Sequence, residues 1–215
     1  MDMQPQPRPT LRGVSHQFAF FAALGAGAVL IATAGSARAA VAVAIYAGSL
    51  AAMFGISATY HRLAVRPRAR AIWQRADHAA IFLFIAGTYT PITVLALRTP
   101  VGSRLLAMVW FGAALGVIQS LVWPRAPRAI TAALYLALGW AIVACWSDVA
   151  AAVATSSLVL LIVGGALYTT GALTYALRRP DPVPRVFGYH EVFHALVIAA
   201  CLCHFAAVFQ LVRAA

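Results

Sequence analysis

Residues 187–212 read FGYHEVFHALVIAACLCHFAAVFQLV. From 195 to 212 there is no Asp, Glu, Lys or Arg. A helix of this length crosses a hydrocarbon core of about 30 Å, so the run reads as a membrane span. Its start carries a second signal. His190 and His194 are four apart with Glu191 after the first, the spacing of the ligand pair and general base of zinc hydrolases. The stretch therefore raises two questions together: how many such runs the chain holds, and whether the histidines at the head of this one are a metal motif or only a helix end.

Six more apolar runs lie upstream, at about residues 18–34, 39–63, 72–97, 105–123, 130–146 and 155–177. Pro91 predicts a kink in the third. Gly112 and Gly116 in the fourth have the small-xxx-small spacing that lets helices approach closely. Composition agrees. The 215 residues are 63% hydrophobic and 10% charged, with mean hydropathy +0.85, where soluble domains carry about 25% charge. The expected fold is all-α: a polytopic seven-transmembrane bundle at residues 16–215, after a disordered, basic, proline-rich tail at 1–15. A leader cleaved near Ala37-Arg38-Ala39 is the alternative for the first run; its length argues against it. Cys145, Cys201 and Cys203 all fall inside apolar runs and imply no disulfide framework; Cys201 and Cys203 point about 200° apart on a helix.

The net charge of +11 comes with sixteen arginines and no lysine. Such a balance can signal nucleic acid. Here the arginines occupy short loops between spans, which favours a membrane reading with no nucleic-acid partner. Twelve fall on the side of the N-terminal tail and loops 2–3, 4–5 and 6–7, four on the other. The positive-inside rule then puts the N-terminus in the cytoplasm, the C-terminus outside and the protein in the cell membrane.

With that topology His61, at the end of span two, and Asp77, at the start of span three, lie near the cytoplasmic face, as do His190 and His194. Ser57 is one turn deeper than His61 on the same face. Ionisable groups within a membrane are costly and mark function. His190 and His194 can share one metal ion and His61 offers a third nitrogen. A three-histidine set leaves a fourth position for water, the arrangement of catalytic zinc. Asp77 is placed to hold and deprotonate that water, and Ser57 to orient His61 or bond a substrate carbonyl. Blander readings stand beside these. Asp77 also suits a helix N-cap, His78 packing or support of Asp77, and His16 and His204 an interfacial position.

SATYH at 57–61, RADHAAIFLFIAGTYTP at 75–91 and GYHEVFH at 188–194 resemble, in order, the three motifs of the haemolysin III family. That family groups with the progestin and adipoQ receptors and, more distantly, with alkaline ceramidases. The resemblance implies seven helices and zinc held by His61, His190 and His194, with Asp77 reaching it directly or through water and Ser57 beside it. It also implies a membrane-lipid partner and roles ranging from lipid-amide or ceramide-like hydrolysis to lipid homeostasis. A zinc-stabilised sensor without catalysis, a pore-forming cytolysin and an intramembrane metalloprotease are the other readings. The last lacks an Asp-Gly ligand element anywhere in the chain. Whether Glu191 acts as base stays open at this level.

Overall fold

A computed structural model describes residues 9–97 and 100–215. Among them are seven helices long and apolar enough to cross a membrane, and no strand. They are α1 (Val14–Ala32), α2 (Ala37–Arg62), α3 (Pro67–Ala96), α4 (Pro100–Val122), α5 (Arg128–Ala152), α6 (Thr155–Leu177) and α7 (Tyr189–Ala214). The chain is a multi-pass protein of the cell membrane.

Local chemistry sets the helix starts. The Ser36 hydroxyl accepts the Ala39 N–H at 3.2 Å and caps α2. Pro67 and Pro100 open α3 and α4, where a missing N–H costs nothing. Neighbours in sequence pack together, and α7 returns against α1 and α3 to close the bundle. α3 is the central helix: 72% of its apolar window is buried, against 22% for α1 and 17% for α5. The outer faces carry exposed Phe18, Phe21, Phe111, Leu115 and Leu202, as a lipid-facing surface should.

Two irregularities shape the interior. After Pro91, α3 widens into a π-helical turn over Ile92–Ala96. The hydroxyls of Thr88, Thr90 and Thr93 donate to the carbonyls of Phe84, Ala86 and Tyr89, each at 2.9 Å, so the disturbed helix keeps its polar groups satisfied. α5 breaks into a 3₁₀ stretch over Trp140–Cys145. There Tyr89 from α3 stands in for the lost ladder: its hydroxyl donates to the Gly139 carbonyl at 2.7 Å and accepts the Ile142 N–H at 3.0 Å. Gly112 and Gly116 do mark close approaches, but to two different helices. A Cβ on Gly112 would sit 2.7 Å from Leu138 of α5, and one on Gly116 would overlap the Phe82 ring of α3.

The tail expected at 1–15 needs correction where it can be compared. Residues 1–8 lie outside the described residues. Residues 9–13 are docked rather than disordered: the Thr10 and Leu11 N–H groups donate to the carbonyls of Arg185 and Val186 at 3.0 and 3.2 Å. Val14 already begins α1, four residues before the apolar run suggests.

Candidate metal centre

Two helix ends at the arginine-rich end of the bundle supply the cluster. His61 is in the last turn of α2. His190 and His194 occupy the first turns of α7, whose start is pinned by two carboxylates. Glu191 Oε2 accepts the Gly188 N–H and Asp181 Oδ1 accepts the Tyr189 N–H, both at 2.8 Å. These satisfy two of the orphan donors of a helix N-terminus and fix the turn that carries His190.

His61 Nε2 and His190 Nε2 are 3.1 Å apart. One nitrogen from each of His61, His190 and His194 lies within 4.8 Å of the others. Tetrahedral zinc with bonds of about 2.0–2.1 Å separates its nitrogen ligands by about 3.3 Å. The first pair matches that spacing, and a nitrogen of the third ring lies within 4.8 Å of both. His194 is 1% exposed, and its Nδ1 is buried with no hydrogen-bond partner. An all-imidazole set with a stranded ring nitrogen fits a borderline-soft cation such as zinc.

Asp77 Oδ2 stands 3.9 Å from His61 Nε2. Asp77 lies well inside α3, whose N-cap is Arg66, so it is not a capping residue. Ser57 is buried, and its Oγ is 2.9 Å from His16 Nδ1. His78 uses its carbonyl to accept the Tyr135 hydroxyl at 3.0 Å.

His16 corrects its interfacial reading. It is 3% exposed, and its ring stacks on His194 with centroids 3.7 Å apart and 14° between planes. The sequence signal was present: a histidine at the arginine-rich end of the first span. It is lost if that span is started at residue 18. His204 is not interfacial either. It sits within α7, where its Nε2 is 3.2 Å from the Leu161 carbonyl.

Glu191 turns away from the cluster. One oxygen caps Gly188 and the other is 3.1 Å from Arg12 Nε. The segment before α1 is thus tied to the start of α7. Gly13 makes the link possible, with φ 76 and a position where a Cβ would come 2.6 Å from His61 Cβ.

Two cavities meet at the cluster. A mostly apolar one of about 150 Å³ runs from Ser57, Asp77 and His194 toward His204 between α3, α5, α6 and α7. A second, of about 340 Å³, is lined by several arginines at the arginine-rich end of the bundle and reaches His61, Asp77 and His190. Asp77, Ile81, Tyr135, Ala172 and Phe193 line both.

Comparison with known proteins agrees with this architecture. The family described as Haemolysin-III related matches residues 5–205. Hemolysin-3 of Bacillus cereus is 33% identical over 141 residues, 66% of this chain and 64% of that protein, so the aligned chain spans a little under two thirds of its length. The hemolysin-3 homolog of Bacillus subtilis (strain 168) is 27% identical over 177 residues, covering 82% and 80% of the two chains. The heptahelical transmembrane protein ADIPOR2 of Oryza sativa subsp. japonica is 32% identical over 170 residues, covering 71% and 74%.

Proposed function

The chain belongs to the haemolysin-III-related family, and from that premise we propose that it is a zinc-dependent hydrolase of a membrane lipid, acting on an amide of the ceramide kind and serving membrane-lipid homeostasis. One observation carries this reading: three imidazoles within 4.8 Å lie beside a carboxylate, at the head of an apolar cavity. His61, His190 and His194 would hold the ion. When bound, zinc supplies Lewis acidity and makes water a stronger acid. The residues of the chain do the rest. The apolar cavity takes the acyl chain and excludes water from it. Asp77 accepts a proton from the attacking water and returns it to the leaving amine. Ser57, held by His16, donates its hydroxyl to the acyl oxygen. Glu191 takes no part as base, since both its oxygens are engaged elsewhere. The arginine asymmetry favours a site in the cytoplasmic leaflet.

Elemental analysis and lipid-amide hydrolysis by purified protein test this. His61→Ala, His190→Ala and His194→Ala should each lose zinc. Asp77→Ala should keep it and lose hydrolysis. Stoichiometric zinc in all three histidine variants would sink the assignment.

The second reading is a zinc-stabilised sensor without catalysis. It is favoured by the way the site joins α2 to α7 across 129 residues of sequence. It expects Asp77→Ala to leave cellular function intact while any lost histidine lowers thermal stability. The metalloprotease reading of HEVFH is weakened by the same engagement of Glu191. The relatives' names suggest haemolysis; dye release from liposomes at sub-solubilising protein is the corresponding check.

A further inference from the structure

The second cavity is lined by Arg12, Arg70, Arg125 and Arg128, of which Arg12 is paired with Glu191 and Arg125 is exposed. Arg62, Arg66, Arg68 and Arg75 are exposed at the surface. Arg70 and Arg128 are instead partly buried and held over aromatic faces. The Arg70 guanidinium is 5.0 Å from the centre of the Tyr60 ring, with one nitrogen 3.4 Å from the Tyr60 hydroxyl. Arg128 lies 5.4 Å from the Tyr175 ring and 5.9 Å from the Tyr189 ring, and donates to the Tyr189 hydroxyl at 3.0 Å. Ring faces hold a cation in place without neutralising it.

Among the described residues the ion pairs are Arg12 with Glu191 and His61 with Asp77. Neither Arg70 nor Arg128 is in one. Arg70 also has a terminal nitrogen buried with no hydrogen-bond partner. The chain has sixteen arginines and five acidic residues, so it cannot pair most of its cations internally. A forked, preorganised guanidinium with unspent N–H groups, in a walled cavity, is the donor set that phosphate takes. Asp77, His61 and His190 line the same cavity.

Resting on the hydrolase reading above, we propose that this vestibule binds the phosphate of a lipid headgroup through Arg70 and Arg128. The lipid amide that reaches the histidines then carries a phosphate on its headgroup in addition to the amide bond. Its headgroup occupies the second cavity, its scissile carbonyl the junction at Asp77, and its chain the apolar cavity. The shared lining of the two cavities gives a continuous path for such an amphiphile.

The test uses the full chain in maltoside micelles, which contain no phosphate. The probes are dioctanoyl phosphatidate, dioctanoylglycerol and inorganic phosphate. Wild type should bind phosphatidate at least about tenfold tighter than dioctanoylglycerol, with the preference shrinking as salt rises. The double variant R70Q/R128Q should lose the preference, R70K/R128K should keep part of it, and R66Q/R68Q should keep it all. Equal binding of the two lipids by wild type overturns the proposal. So does equal loss in R66Q/R68Q and R70Q/R128Q, which would reduce the effect to surface charge. Inorganic phosphate displacing phosphatidate at a similar concentration would make this a free-phosphate site and overturn the headgroup assignment. If R70Q/R128Q fails to fold, the wild-type preference and its salt dependence decide. Zinc content and hydrolysis separate the two readings. A phosphate preference without hydrolysis removes the enzyme and leaves the vestibule. Hydrolysis of a neutral lipid amide with no phosphate preference does the reverse.

Discussion

Histidine occurs at two places along α7, and the two meet its polarity in different ways. Halfway along the helix, His204 points Nε2 at the Leu161 carbonyl, and Gly164 leaves room for the ring, since a Cβ there would overlap it. A backbone acceptor answers the one N–H of a neutral imidazole. At the head of the helix His190 and His194 face His61 and His16, and imidazole nitrogens face one another. Rings that can each offer only one proton cannot satisfy so many nitrogens mutually, and a buried polar atom left without a partner costs several kcal/mol at worst. A cation held as proposed would answer several nitrogens of that cluster at once; at His204 the carbonyl answers Nε2, while Nδ1 is buried without a partner. Chemical identity thus says little about a buried histidine until the atom opposite each nitrogen is known.

The largest effect that separates the two places is on metal content. His194→Ala should reduce bound zinc from one ion per chain toward none, while His204→Ala leaves it at one; a drop in both would erase the distinction. His16→Leu removes the stacked ring and the Ser57 bond. It should weaken zinc by about 10–100-fold, the range for groups that orient a ligand, measured by competition with a chelator. Gly13→Ala forces a side chain into a left-handed conformation against His61. A loss on the order of 3 kcal/mol is expected in thermal unfolding, and added zinc should recover part of it. Gly164→Ala crowds the His204 ring instead. It should cost ~2 kcal/mol with zinc affinity unchanged, and a change in affinity would mean the two ends are coupled. The smallest effect is Glu191→Gln, which keeps a cap on Gly188 and loses the Arg12 charge partner. Stability should fall by about 1 kcal/mol or less, and hydrolysis should stay within about twofold, because a base in this role contributes at least about a hundredfold.

The spans were legible because each is a long apolar run, and the depth of His61, Ser57, Asp77, His190 and His194 followed from alternating their direction. Helix starts were harder. α3 begins at Pro67 because Arg68 and Arg70 sit on a helical turn beyond the apolar run, so hydropathy alone starts the helix late and makes Asp77 look like a cap. The same shortfall at α1 hid His16. The break in α5 was invisible: residues 140–145 contain no proline, and what satisfies the backbone there is a tyrosine hydroxyl from α3, far away in sequence. The partial burial of Arg70 and Arg128 was equally hidden, since loop arginines look alike until the tyrosines beneath them are seen.

The nearest pair of ring nitrogens in the cluster belongs to residues 129 positions apart, one on the second helix and one on the last. Their meeting has a consequence for biosynthesis. A chain emerging from the ribosome has five further spans to insert after His61 is in place before the partner histidines exist in the same bilayer. On the proposed three-histidine site, a chain without α7 lacks two of the ligands, so metal capture would report insertion of α7.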